Sequence, residues 1–189
     1  IIERDLSLLE DFNCRYHISQ ISSSKSLEVI EKKKDQIDFT TGVSINNLSL
    51  NENDIGDFRT FLKLSPPLRT EEDRQSLIRG INKDLIDVLV SDHKPEDEES
   101  KRLTFSQAAT GASGIETLLP LSLELFHNNS IKLPKIIKLL TSNPAKVLKV
   151  DKGNLSIGND ADFCIVDINK PWIVKKEKMI SKSKNTCIE

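Results

Sequence analysis

The sequence has 189 residues, 37% of them hydrophobic and 30% charged, with a formal net charge of −2. A chain of this size can bury about 70% of its unfolded surface in a core, and the near-neutral balance excludes the basic footprint of a nucleic-acid-binding protein. No run of about 18 apolar residues occurs, which excludes a membrane-spanning helix of ordinary length. Cys14, Cys164 and Cys187 stand far apart with no Cys-x-x-Cys pair. That odd count and low density fit reduced thiols in a cytosolic protein and argue against a structural zinc site.

The opening "IIERDLSLLEDF" has neither Met nor a signal-peptide n-region, so a piece of a longer polypeptide is expected. Ile2, Leu6, Leu9 and Phe12 fall at helical spacing. "CRYHISQIS" alternates as a strand, with Tyr16, Ile18 and Gln20 on one face and His17 opposite. "SSKSLEVIEKKK" predicts a helix with an N-cap among Ser22 to Ser24 and a solvated, lysine-rich end. "DFTTGVSI" is β-branched and predicts a strand. "NNLSLNENDIGDFRTFLKLSPPLR" reads as a long loop or crossover. "TEEDRQSLIRGIN" is a helix capped by Thr70, with three acids in its first turn. "LIDVLVS" is the near-continuous apolar run of a buried parallel strand.

Beyond residue 115 the pattern turns helical. Pro134 suits a first helical turn, and Pro144 predicts a break followed by a short helix. From Gly153 onward, glycines punctuate "GNLSIGNDADFCIVDI", which predicts short strands and turns. The order of elements places a parallel α/β region over residues 1–150 and a small β module with a tail over 151–189. Trp172 is expected to pack within that module. "KPEDEESKR" reads as an exposed loop, and His127 as a helix-end residue placed by the dipole.

In a (β/α)8 barrel the functional groups gather where strands end. The strand ends here fall near Gln20–Ser22, Ser44–Asn47 and Asp92–His93. Asp92 is the candidate metal ligand and general base, and a shared barrel mouth requires it to lie within about 15 Å of Gln20. The structural alternative is that Asp92 caps the following segment or pairs with Arg69 or Lys94.

Five collinear stretches resemble the dihydroorotase family of the amidohydrolase superfamily. "LVSDHKPEDEES" is similar to the family's A-T-D-H-A-P-H. "LSPPLRTEEDRQSLIRGINKDLIDVLVSDH" resembles its N-P-P-L-R segment and the helix after it, and "GASGIETLLPL" its G-x-x-G-x-E-T-x-L-P-L. "GNLSIGNDADFCIVD" and "SKSKNT" resemble the closing G-x-L-x-x-G-x-D-A-D and S-K-x-x-N-T. The resemblance implies the second half of a TIM-type amidohydrolase barrel. It implies zinc chemistry that interconverts N-carbamoyl-aspartate and dihydroorotate in pyrimidine biosynthesis. Asp92 takes the catalytic, metal-binding position, while Ser65, His93 and Gly111 take substrate-pocket positions, Gly111 through its backbone.

The departures from the family pattern fall at that site. Gln20 stands where the family has a histidine ligand, and an amide is a poor zinc ligand beside imidazole. Asn46 and Asn47 replace a His-His pair, Ser65 an Asn, and Glu96 the second His of D-H-A-P-H. The family's remaining zinc histidines would lie upstream. Zinc is therefore expected to be weak or absent in this chain. One reading is a noncatalytic dihydroorotase-like subunit, of the kind that serves as a structural partner of aspartate carbamoyltransferase. The others are an active dihydroorotase and a related cyclic amide hydrolase. Three barrel strands leave open edges, so an oligomer or a longer chain is expected.

Overall fold

The computed structural model describes residues 1–12 and 14–188. Helix α1 (Ile2–Leu9) leads into strand β1 (Tyr16–Ile21), helix α2 (Ser24–Lys33) and strand β2 (Phe39–Ser44). Short helix α3 (Ile45–Ser49) follows at once, then two 3-10 turns, Glu52–Ile55 and Thr60–Leu62. Helix α4 (Glu71–Asn82) and strand β3 (Val88–Val90) complete the βα repeat. Helices α5 (Glu98–Lys101), α6 (Leu118–His127), α7 (Leu133–Leu140) and α8 (Ser142–Leu148) come after it.

The strands form one parallel sheet in the order β1-β2-β3. Local signals set the helix ends. The Ser23 hydroxyl accepts from the Ser26 amide at the start of α2, and Thr70 accepts from the Asp73 amide at the start of α4. Such caps satisfy backbone donors that the helix itself leaves free. Pro134 lies in the first turn of α7, and the break anticipated from Pro144 falls three residues earlier, at Thr141.

The core lies between the sheet and its helices. Ile18 and Ile21 of β1, Phe39 and Val43 of β2 and Leu89 of β3 pack with Leu27, Ile30, Leu77, Ile81, Leu125 and Ile136. A second cluster, Leu62, Leu64, Leu68, Ala112 and Cys187, lies under the loops beyond the strand ends.

Four features differ from the sequence expectation. The long loop contains α3 and the two turns. Strand β3 pairs over three residues, because the Asp87 carboxylate takes the Thr41 amide at 2.8 Å and ends the regular ladder there. The lysine-rich end of α2 is tied down: Lys34 pairs with Asp87 at 2.7 Å, and Lys33 pairs with Glu10. The strands expected from 151 onward are not formed among the described residues, where Lys176–Lys178 makes a 3-10 turn. Ile157, Phe163 and Ile165 are exposed. An extended segment needs a neighbouring ladder to become a strand, and the sheet described above offers it none. Glu189, the last residue of the expected module, lies outside the described residues. Trp172 is 47% exposed and lines a groove with Leu119, Leu123 and His127 of α6.

Candidate functional site at the strand ends

The register of β1 on β2 positions the site. His17 lies opposite Thr40 and Ile18 opposite Thr41, but the next matched pair is Ile21 with Val43. Ser19 and Gln20 therefore oppose Gly42 alone, which is a β-bulge. A bulge inserts one residue and resets the alternation of faces. Ile18 and Ile21 both enter the helix-packed core, and Gln20 returns to the face of His17. The expectation that His17 and Gln20 lie on opposite faces is corrected by this one residue.

Asp92 follows β3 by two residues and has a positive φ of 49°. Asp tolerates this left-handed conformation better than most residues. Gln20 Nε2 donates to Asp92 Oδ1 at 2.7 Å. The order β1-β2-β3 means that this bond crosses the end of the central strand. Gln20 and Asp92 thus share one mouth, as the strand-end placement requires. Burial pushes the Asp92 carboxyl above its ordinary range, while the Gln20 hydrogen bond and the Lys94 charge pull it back.

The other anticipated residues are placed as follows. His93 bridges to Ala112, and its Nδ1 accepts from the Gly114 and Ile115 amides at 3.2 and 3.3 Å. An accepting Nδ1 leaves the ring proton on Nε2 in the neutral form. Gly111 has φ +136°, and a β-carbon there would stand 2.6 Å from the Lys94 carbonyl oxygen. Its amide donates to the Lys63 carbonyl at 2.9 Å, so that group is already used within the fold. Ser65 is exposed, just ahead of the cis Ser65–Pro66 bond. Glu96 Oε1 lies 3.9 Å from Lys94 Nζ, and its carbonyl accepts from Ser183 Oγ at 2.7 Å. Asn46 and Asn47 are buried on α3. Asn47 Nδ2 donates to the Pro67 carbonyl, whereas Asn46 Nδ2 and Asn47 Oδ1 have no hydrogen-bond partner among the described residues.

Sequence reasoning missed two groups beside this mouth. Lys101, within the supposed exposed loop, ends α5 and is 2% exposed. Its ammonium donates to the Thr60 and Ala109 carbonyls at 3.1 and 2.7 Å. Cys187 is buried nearby, its Sγ 3.5 Å from the Phe61 carbonyl oxygen. Burial pushes its thiol up to about 12. Nothing in a block of acids followed by Lys101 and Arg102 marks Lys101 as the buried member.

The donors that this chain brings to the mouth do not by themselves make a zinc site. Among the described residues, no group of three or more His, Cys, Asp or Glu side chains could hold a metal. His17 Nδ1 is engaged with Thr40 Oγ1 at 2.8 Å, and Gln20 presents an amide proton to Asp92.

A parallel βα sheet with polar side chains gathered beyond its strand ends is the layout of part of a TIM-barrel mouth. The model of the amidohydrolase family matches residues 7–188, and the chain belongs to that family. Within it, the chain is similar to dihydroorotases. That of Ehrlichia canis (strain Jake) is 40% identical over 98% of this chain and 42% of its own length. That of Aquifex aeolicus (strain VF5) is 38% identical over 98% of this chain and 44% of its own length. The chain thus spans less than half the length of these curated relatives. Among solved structures, L-hydantoinase (dihydropyrimidinase) from Arthrobacter aurescens superposes with a TM-score of 0.80 at 28% identity, over 85% of this chain and 37% of that one. Dihydropyrimidinase from Brevibacillus agri NCHU1002 gives 0.78 at 20% identity over 85% of this chain and 37% of that one, a likeness of fold. The α/β region is accordingly part of an amidohydrolase TIM barrel.

Proposed function

We propose that this chain is a dihydroorotase-like module of pyrimidine biosynthesis that is catalytically impaired and serves as a structural partner of aspartate carbamoyltransferase. The supporting observation is the donor set at the mouth. Gln20, Asn46 and Asn47 offer amides at strand ends where a zinc hydrolase needs imidazole or carboxylate. Fold alone does not confer activity, and losing a ligand costs at least the roughly 10- to 100-fold that follows loss of a supporting partner. The open sheet edges are covered by further polypeptide, carried in the same chain or a separate one. Zinc is weakly held or absent, and the module works in the cytoplasm.

The second reading, an active zinc amidohydrolase acting on N-carbamoyl-L-aspartate and dihydroorotate or on a related cyclic amide, draws on Asp92. That carboxylate is kept at the strand end, and burial favours its protonated form. The intact natural polypeptide should be assayed for dihydroorotate hydrolysis with and without added zinc, and for co-purification with aspartate carbamoyltransferase. No turnover together with a stoichiometric complex supports the first reading. Zinc-dependent turnover that is lost in Asp92→Asn supports the second.

A further inference from the structure

We infer that the Gln20–Asp92 hydrogen bond is a metal-independent tie that locks β1 to β3 across the end of β2, doing with one proton the mechanical work of a shared metal ion. The inference rests on the noncatalytic reading and gives the altered site a structural task.

Three observations carry it. The first is the contact itself. Nε2 and Oδ1 are 2.7 Å apart. Two donors of a tetrahedral zinc at about 2.0–2.2 Å would stand roughly 3.3–3.6 Å from each other. An amide nitrogen has no lone pair to give a metal, and its proton lies on the line to the carboxylate. With the carboxylate ionised, a reversed amide would set two oxygens 2.7 Å apart without a proton between them.

The second is the span. β1 and β3 are the outer members of this sheet, two strand spacings or roughly 9.6 Å apart. No backbone ladder joins them. Only side chains that reach over β2 can, and the bulge at Ser19–Gln20 turns Gln20 to the face from which it does so.

The third is the backbone at Asp92. Its φ of 49° is a conformation that non-glycine residues adopt sparingly. Residues held this way are over-determined by their surroundings. Here the Gln20 bond, the Lys94–Ala112 backbone bond at 2.8 Å and the His93 bridge lie on either side of the turn.

The test uses the intact natural polypeptide and four variants: Gln20→Ala, Asp92→Ala, the double variant and Asp92→Asn. Each is dialysed against zinc chloride, desalted, analysed for zinc, and melted with and without EDTA. The expectation is no retained zinc and no effect of EDTA. Each alanine variant should melt on the order of 3 °C lower, and the double variant should melt no lower than the worse single one. Asp92→Asn should melt close to the native protein, because its amide oxygen still accepts from Gln20. If either alanine variant fails to fold, Asp92→Asn and the metal analysis still decide. Stoichiometric zinc that disappears in Asp92→Asn would overturn both this tie and the noncatalytic reading. Additive losses, or an unstable Asp92→Asn, in a zinc-free protein would overturn the tie alone.

Discussion

A β-carbon on Gly42 would stand 2.4 Å from the carbonyl oxygen of Ser19. The bulged backbone of β1 therefore fits against β2 only because residue 42 has no side chain. Gly42→Ala must push the bulge away or flatten it, and flattening returns Gln20 to the core-facing side. Overpacking of this kind costs about 1–3 kcal/mol. Urea denaturation should show that loss, and the variant should also lose the thermal penalty of Gln20→Ala, since Gln20 no longer reaches Asp92.

The three cysteines should separate by reactivity. Cys14 and Cys164 are exposed, whereas Cys187 is buried with its thiol pushed up to about 12. The thiolate is the reactive form. Iodoacetamide at neutral pH should label Cys14 and Cys164 in the native protein, and Cys187 only after denaturation. Peptide mass spectrometry reads the order directly.

Glu71 should show the strongest acid shift. The Arg74 guanidinium grips its carboxylate at 2.7 and 2.5 Å, and Gln75 and Asn51 amides donate to it as well, so its pKa falls from 4.5 to about 2. A carboxyl depressed in the folded state stabilises fully above its unfolded pKa, and that gain disappears as pH falls from about 4.5 toward 2. Carbon-detected NMR should place the Glu71 midpoint near 2. Glu71→Gln should remove its share of the acid slope in stability, a small share because the side chain is 44% exposed and solvent screens the pair.

Lys101 should behave as a packing residue carrying a charge at some cost. Burial lowers its pKa from 10.5. The fold thus prefers the neutral amine, and stability should rise as pH climbs through the lowered value toward 10.5. Lys101→Met keeps the stem, removes the charge and should abolish that rise, at a cost of about 1–3 kcal/mol for the Thr60 and Ala109 carbonyls left without their donor. Lys101→Ala leaves a cavity and two carbonyls without their donor, and should cost on the order of 2–5 kcal/mol. Thermal melts of both variants across pH 7–10 would separate the two effects.

The local code of this protein was legible in its sequence. Apolar spacing gave the helices, the serine run before "LEVI" gave the α2 cap, and Thr70 gave the α4 cap, because each involves groups a few residues apart. The five collinear motifs pointed to the amidohydrolase family, and they placed Asp92 beside a strand end. The contact with Gln20 was decided in three dimensions. It joins residues 72 positions apart, through a bulge permitted by a glycine on the neighbouring strand. A bulge depends on which strand lies alongside, so strict alternation assigned His17 and Gln20 to opposite faces and tertiary pairing put them on one. Lys101 was hidden for the same reason, since exposed Glu98, Glu99 and Arg102 surround it in sequence while its partners are the Thr60 and Ala109 carbonyls. "DFCIVDI" has the composition of a strand, but a strand exists only in a ladder, and no described segment pairs with it.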